Sequence, residues 1–292
     1  MRKIGIVTDS HSSISQECAK KMGVKVLPMP FYINEECFYE DTTLSREEFF
    51  RKQREGAKIT TSQPVPEQVM NLWDECLEEY DEILYMPLSS GLSGSYSTAM
   101  ALSMDEKYEG KVFVVDHGRI STPLITMIHD TQRLIEEGYS AAEIREILEA
   151  CREDMVIYIA VDTLQYLKEG GRISSTAAAV GTMLKIKPVL SLSVGLLGEY
   201  KKCRGMSKAK KAMLEGIKSE LETKYKEAYE NGEITMLAAT SATEEETAAW
   251  VKEIEEAFPG HKVLSGNLSL GVSCHTGEGA LGVGFSRRAA KR

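Results

Sequence analysis

The chain has 292 residues, of which 42% are hydrophobic and 27% charged; this is ordinary for a soluble globular protein and long enough for two domains. Its formal net charge of −9 argues against nucleic acid or an anionic membrane surface as the main partner. The most apolar stretch, 177–197, contains two lysines and a proline, so we expect no stable insertion into a membrane.

Cysteine usage and the N-terminal sequence indicate the compartment. The six cysteines are scattered and include no CxxC pair, which favours reduced thiols over a disulfide framework or a zinc site. The N-terminus enters a strand pattern directly and lacks the apolar segment of a signal peptide. We therefore predict a cytoplasmic protein without a bound metal or cofactor.

The first half of the chain alternates short apolar runs with segments of helical periodicity. The predicted elements are strands over 3–7, 24–33, 82–88, 111–115 and 155–161, and helices over 13–22, 45–56, 67–79, 96–107, 126–137 and 140–153. Pro28 and Pro30 mark the second strand as irregular or as an edge strand. Capping-box patterns at Ser45 and Ser140 predict the starts of two helices.

The second half continues the alternation. It is predicted to contain strands over 188–194, 199–203, 234–239 and 262–264, a final apolar run over 281–285, a turn at 195–198, and helices over 162–168, 175–184, 207–229 and 243–257. This order predicts α/β architecture with mainly parallel sheets. Since each half has enough strands for its own sheet, we expect an N-terminal α/β domain over 1–161 with hydroxyl-rich ligand loops. A C-terminal α/β domain over 162–292 would carry the GGRI and HTGEG turns.

A glycine-serine turn with the sequence SSGLSGSYS, at 89–97, lies between a predicted strand and a predicted helix. Backbone N–H groups and hydroxyls at a helix N-terminus form a site for an anionic oxygen. The turn has neither the GxGxxG fingerprint nor the lysine of a phosphate loop. We interpret it as a cradle for a carboxylate or a single phosphate; an ordinary strand-to-helix turn is the alternative.

Four clusters of polar residues carry the remaining candidates for chemistry. They lie at 60–64, 89–97, 170–174 and 275–279. The hydroxyls, the amides, the Arg172 guanidinium and the His275 imidazole can all donate hydrogen bonds, so that together they could hold one carboxylate.

Two enzymatic hypotheses stay open beside this one. His275 could act as a base on Ser93 in an acyl hydrolase, if the fold brings the two together. A metal-dependent phosphoesterase is the other, because carboxylates and imidazoles at strand ends can bind a metal. The candidate ligands of that metal are Asp9, His11, Asp116 and His117.

With these clusters identified, nearly the whole chain resembles the DegV family of bacterial fatty-acid-binding proteins. The resemblance rests on seven short motifs that occur in the family's order. They are TDS at 8–10, TSQP at 61–64, SSGLSGS at 89–95, YLKEGGRI at 166–173, KP at 187–188, KCR at 202–204 and HTGEGA at 275–280.

The resemblance implies a lipid-binding protein rather than an enzyme. Two α/β domains would hold one long-chain fatty acid between them, with the acyl chain in an apolar tunnel. The carboxylate would be bound by the hydroxyls of Thr61 or Ser62 and of Ser93, with His275 and Arg172 nearby. The full set of implied ligand-binding residues is Thr61, Ser62, Ser93, Gly94, Ser95, Arg172, His275 and Thr276.

The family also implies a partner. Its members resemble the lipid-presenting half of a bacterial fatty acid kinase, whose separate ATP-binding subunit phosphorylates the bound carboxylate. Lys202 and Arg204 match the family's basic element associated with docking that subunit. We expect this chain itself to be a monomer.

The chain departs from the family pattern at three places. His117 stands where the family usually has a serine. The small glycine-rich residues that usually follow are replaced by the bulkier segment 121–125, with Pro123, which could reshape the tunnel and change which acyl chain fits. Glu278 replaces a common proline. None of these changes affects the implied carboxylate ligands.

Overall fold

The computed structural model of the chain describes residues 2–40, 42–173, 186–192 and 197–291. The chain divides into two compact units, Met1–Glu153 with Ala289–Arg292, and Asp154–Arg288. The boundary predicted near Val161 follows strand Met155–Ala160, whereas the units divide before that strand. The reason is that this strand pairs on both sides with strands of the second unit.

The first unit is built on a four-stranded parallel sheet in the order β2-β1-β6-β7. A separate antiparallel sheet has the order β4-β3-β5. The strands are β1 (Ile4–Asp9), β2 (Val24–Leu27), β3 (Pro30–Ile33), β4 (Glu36–Tyr39), β5 (Ile59–Thr61), β6 (Glu82–Met86) and β7 (Val112–Val114). The helices are α1 (Gln16–Met22), α2 (Arg46–Arg54), α3 (Pro66–Leu77), α4 (Ser95–Ser103), α5 (Ser121–Glu136) and α6 (Ala141–Ala150), with a 3-10 turn at Ser10–Ser12.

Strand β6 is buried on both faces, as expected for a central strand of a parallel sheet. Leu84 and Met86 face a core that includes Leu124 of α5. The alternate residues Ile83 and Tyr85 face a second core around Trp73 of α3. The period of two along β6 therefore fixes its register between two helical layers, and it fixes where the chain leaves the sheet after Met86.

The second unit contains a six-stranded mixed sheet in the order β10-β9-β8-β13-β11-β12. Its strands are β8 (Met155–Ala160), β9 (Ile186–Leu192), β10 (Leu197–Arg204), β11 (Ile234–Thr240), β12 (Val263–Asn267) and β13 (Leu281–Arg287). Its described helices are α7 (Gln165–Glu169), α8 (Met206–Glu222), α9 (Lys226–Glu230), α10 (Glu244–Ala257) and α11 (Leu270–Thr276). Trp250 of α10 is fully buried, and its indole N–H donates to the Gly282 carbonyl of β13 at 3.0 Å.

The predicted α/β class is confirmed. The expectation of mainly parallel sheets holds for the large sheet of the first unit, whereas among the described pairs of the second unit only β11–β12 is parallel. Strands β9 and β10 lie close together in the chain, and such neighbours pair antiparallel. Strand β13 comes from the C-terminal part of the chain, yet it pairs between β8 and β11 in the middle of the sheet. No local sequence pattern predicts this position.

The structure corrects several predicted elements. The strand predicted over 24–33 divides at Pro28 into β2 and β3, which belong to different sheets. Helix α5 begins at Ser121, ahead of its predicted start, because Pro123 lies in the first turn, where a missing N–H removes no helical hydrogen bond. The helix predicted over 175–184 lies outside the described residues, as does part of the turn at 195–198.

No helix within the described ranges is both long and apolar enough to cross a membrane.

Candidate functional site

The glycine-serine turn of the first unit is a compact loop between β6 and α4. The Ser89 carbonyl accepts hydrogen bonds from the N–H groups of Leu92 and Ser93, at 2.9 and 3.2 Å. Helix α4 then begins at Ser95, with Gly94 as its N-cap and no side-chain hydrogen bond to that cap. The loop therefore presents serines at the start of a helix, as the sequence predicts.

Two of these serines form a hydroxyl pair. The Ser93 and Ser95 Oγ atoms lie 2.9 Å apart, and Ser93 Oγ also accepts from the Ser95 N–H at 3.2 Å. Ser95 is buried and Ser93 is half-buried. Since a hydroxyl can both donate and accept, either oxygen of the pair can turn a proton toward an anionic ligand.

The loop is attached to the neighbouring strand β1 through two fully buried side chains. Thr8 Oγ1 donates to the Met86 carbonyl at 2.8 Å. The Asp9 carboxylate accepts from the N–H of Leu88 at 2.7 Å and from the N–H of His11 at 2.9 Å. Polar residues at the end of β1, which the sequence marks as a candidate ligand site, thus support the loop.

The structure brings the Thr61–Pro64 segment beside this loop. Ser62 follows β5, and its hydroxyl donates to the Gln63 carbonyl at 3.0 Å. Gln63 Oε1 accepts from the Thr98 hydroxyl of α4 at 3.0 Å, and a Cβ on Gly94 would lie 3.3 Å from the same oxygen. Gln63 therefore links two of the clusters, a role that the proline-stiffened sequence around it does not reveal.

In the second unit, the GGRI turn and His275 lie together. His275 is in the last turn of α11, not in the glycine turn that the sequence predicts, because Ser269 caps a short helix that ends at Thr276, with Gly277 as its C-cap. A Cβ on Gly170 would lie 2.0 Å from His275 Nδ1. Arg172 folds back so that Nη1 donates to the Gly170 carbonyl.

The segment after His275 is held by two hydrogen bonds to Ser241, which follows β11. The Ser241 hydroxyl donates to the Gly277 carbonyl at 2.6 Å and accepts from the Ala280 N–H at 2.9 Å. Thr276 is buried, and its hydroxyl lies 3.5 Å from the Val272 carbonyl and 3.4 Å from that of Gly277. The rule that polar residues at strand ends mark ligand sites could have identified Ser241.

The two basic residues expected to dock a partner lie on β10, at the edge of the six-stranded sheet. Lys202 and Arg204 are both exposed. Lys202 Nζ lies 3.5 Å from a carboxylate oxygen of Glu199. The docking role of these residues stays a prediction.

Three of the four side chains proposed as metal ligands bind other groups, and the fourth, His11, has its Nδ1 3.3 Å from Asp9 Oδ1. Asp9 binds backbone N–H groups, and Asp116 Oδ2 forms an ion pair with Arg152 at 2.9 Å. His117 Nδ1 accepts from the Arg119 N–H at 3.0 Å. Within the described part of the chain, no three His, Cys, Asp or Glu side chains are placed to hold a metal ion, so the geometry gives the phosphoesterase hypothesis no support.

The acyl-hydrolase hypothesis requires His275 to lie beside Ser93. Ser93 belongs to the first unit and His275 to the second, and the hypothesis stays a prediction.

Comparison with known proteins gives a consistent family match. The family model described as "Uncharacterised protein, DegV family" matches residues 3–288. A DegV domain-containing protein of Staphylococcus aureus strain N315 is 30% identical over 284 residues, which cover 97% of this chain and 98% of that protein.

Two solved structures resemble the fold over nearly its whole length. A DegV family protein from Thermus thermophilus, whose structure concerns fatty acid binding, has a TM-score of 0.86 and 32% identity and covers 98% of this chain and 100% of its own. DegV of Bacillus subtilis, described as a fatty acid binding protein, has a TM-score of 0.81 and 26% identity, with coverages of 98% and 100%.

Proposed function

Since the chain belongs to the DegV family, we propose that it binds a long-chain fatty acid and presents the carboxylate to a separate ATP-dependent kinase. The observation that carries the proposal is the Ser93–Ser95 hydroxyl pair at the start of α4. Helix N-termini and hydroxyl donors favour an anionic oxygen. The fatty-acid-binding relatives in Thermus thermophilus and Bacillus subtilis support a carboxylate as that anion.

In this proposal the carboxylate is bound by the hydroxyls of Thr61, Ser62 and Ser93 and by the His275 imidazole. Each would donate a hydrogen bond to a charged acceptor, which is stronger than one between neutral groups. The acyl chain would lie in an apolar tunnel, where each buried methylene contributes about 0.8 kcal/mol. The tail thus supplies most of the affinity, and the polar groups set the orientation.

The proposed role is not catalytic. The bound carboxylate would attack the terminal phosphorus of ATP on the partner subunit, so that ADP leaves and an acyl phosphate forms. Lys202 and Arg204, exposed on the edge strand β10, are the proposed docking residues for that partner. This chain would then supply a positioned substrate, while the partner binds the nucleotide.

We further propose that the protein works as a monomer in the cytoplasm. All six cysteines are free of disulfides, and four of them are buried. Free cysteines of this kind are typical of a reducing compartment.

The test is equilibrium binding of oleate to delipidated protein by calorimetry. Ser93→Ala and His275→Ala should each weaken binding about tenfold or more, because each removes one charge-assisted hydrogen bond. The matched control is Ser97→Ala, an exposed serine on the same helix as Ser95. We expect oleate to bind that variant within about twofold of the wild type, since exposed helical serines tolerate alanine.

Absence of oleate binding by the wild-type chain would refute the proposed function. Unchanged affinity in both Ser93→Ala and His275→Ala would leave fatty-acid binding in place but refute these residues as the carboxylate ligands.

A further inference from the structure

The loop that carries Ser93 is connected to a buried histidine in the segment that follows strand β7. His117 is 1% exposed, and its Nδ1 accepts from the Arg119 N–H at 3.0 Å. The Arg119 carbonyl accepts from the Ser89 N–H at 3.2 Å, and the Ser89 carbonyl accepts from the Ser93 N–H at 3.2 Å. Three hydrogen bonds in series thus join the imidazole ring to the backbone of Ser93.

The ring must be neutral to make the first of these bonds. A nitrogen that accepts a hydrogen bond carries no proton, so the proton of the neutral imidazole lies on Nε2. Burial and the nearby Arg119 lower the pKa of His117 to about 4, while the Pro87 carbonyl, Asp9 and Asp116 act in the opposite direction. The ring therefore stays an acceptor over the range in which most proteins work.

The hydrogen bonds through His117 and Arg119 hold the loop after β6 on one side, and Asp9 of β1 holds it on the other. In the order β2-β1-β6-β7, strand β6 lies between β1 and β7. From β1, Asp9 accepts from the Leu88 N–H at 2.7 Å. From the β7 side, the Arg119 carbonyl accepts from the next residue, Ser89. Consecutive backbone groups of the loop are thus fixed from opposite neighbours, and this sets the path of the chain into Ser93.

We propose that His117 is a positioning residue, which holds the Ser89–Ser93 turn so that the Ser93 hydroxyl meets the carboxylate of the ligand. The inference rests on the proposed fatty-acid site, and it assigns that site a buried support that never touches the ligand. It predicts that the turn is held by the hydrogen-bond acceptor at Nδ1 and not by the bulk of the ring.

Two variants with the same number and branching of side-chain heavy atoms separate the effect of the acceptor from that of the bulk of the ring. His117→Asn keeps an acceptor oxygen near the position of Nδ1, whereas His117→Leu removes the acceptor that the Arg119 N–H uses. Hydrogen exchange of the peptide 87–96 is measured by mass spectrometry without ligand, and oleate affinity by calorimetry. In His117→Leu we expect exchange at least tenfold faster and affinity about tenfold weaker.

His117→Asn should restore both quantities to within about threefold of the wild type. If peptide 87–96 exchanges in His117→Leu at the same rate as in the wild type, the proposal is overturned. Faster exchange with unchanged oleate affinity would also overturn it. If wild-type protein fails to bind oleate, the proposed function fails, whereas the ligand-free exchange measurement still decides whether His117 holds the loop.

A measurement on the wild type alone covers the case in which a variant does not fold. Nitrogen NMR of histidine-labelled protein reports which ring nitrogen carries the proton. A buried neutral ring protonated at Nε2 supports the proposal. A ring protonated at Nδ1 overturns it, because that nitrogen could not accept from Arg119.

Discussion

The His275 ring packs directly on the backbone of Gly170, so closely that a Cβ on Gly170 would lie 2.5 Å from Cε1 and still closer to Nδ1. Gly170 has φ −78° and ψ −11°, ordinary helical values that any residue adopts. Glycine is therefore needed for space, not for backbone conformation. The GGRI turn and the histidine are thus one structural element of the second unit.

This packing makes Gly170→Ala a direct test of the position of His275. The added methyl group must displace the ring or the turn, so we expect the free energy of unfolding to fall by about 1–3 kcal/mol. Oleate affinity should fall about tenfold if the ring moves by an ångström. Gly198→Ala is the control, since its Cβ would meet nothing closer than 3.8 Å. Equal oleate affinity in the two variants would contradict a ligand-binding role for His275.

The Asp9 carboxylate is fully buried and accepts from two backbone N–H groups. In Asp9→Asn, one of these donors would face the amide NH₂ group instead of an oxygen. We expect the free energy of unfolding in urea to fall by about 2–4 kcal/mol. Asp105→Asn, at an exposed turn where the carboxylate accepts from the Lys107 N–H at 2.9 Å, should change it by less than about 0.5 kcal/mol. Similar losses in both variants would argue against a special role of Asp9.

His117 should make the protein less stable in acid. Its folded pKa of about 4 lies below the value near 6.5 of an unfolded histidine, so the unfolded chain binds more protons between these values. The contribution is complete above pH 6.5 and is lost as the pH falls toward 4, by roughly 3 kcal/mol in all. Urea unfolding of the wild type and His117→Asn at a series of pH values measures it. The stability of the wild type relative to the variant should fall by roughly 3 kcal/mol as the pH falls from 6.5 toward 4; parallel curves would exclude this assignment.

Ser241 should be a stabilising residue of the second unit. In Ser241→Ala, the Ala280 N–H and the Gly277 carbonyl both lose a partner in a buried place, which should cost about 1–3 kcal/mol in the free energy of unfolding. Ser265→Ala, on an exposed position of β12, should cost less than about 0.5 kcal/mol. Urea unfolding compares the two variants, and equal effects would contradict the role given to Ser241.

The elements that the sequence predicts well have strong local patterns. The β6 strand is a short apolar run, and the serines after it stand at a strand-to-helix junction, so both could be located without the fold. Ser45 and Ser140 do cap helices, because the capping bond is made within one turn. The α/β class follows from the alternation of such elements.

The features that the sequence does not predict depend on distant parts of the chain. The contact between Gly170 and His275 joins segments more than a hundred residues apart. The hydrogen bond from the Arg119 guanidinium to the Cys151 carbonyl, at the end of α6, also joins separate segments of the chain, so both contacts require the tertiary fold. The sequence predicts this helix only from residue 126, yet α5 begins at Ser121 and has Pro123 in its first turn, where the missing N–H removes no helical hydrogen bond.

The most direct test of fatty-acid binding is to denature purified protein, extract it with organic solvent and identify the released lipid by mass spectrometry. The account predicts a near-stoichiometric long-chain fatty acid, and its length would report the depth of the tunnel. An empty extract, obtained again after incubation with a panel of fatty acids, would contradict the proposed function.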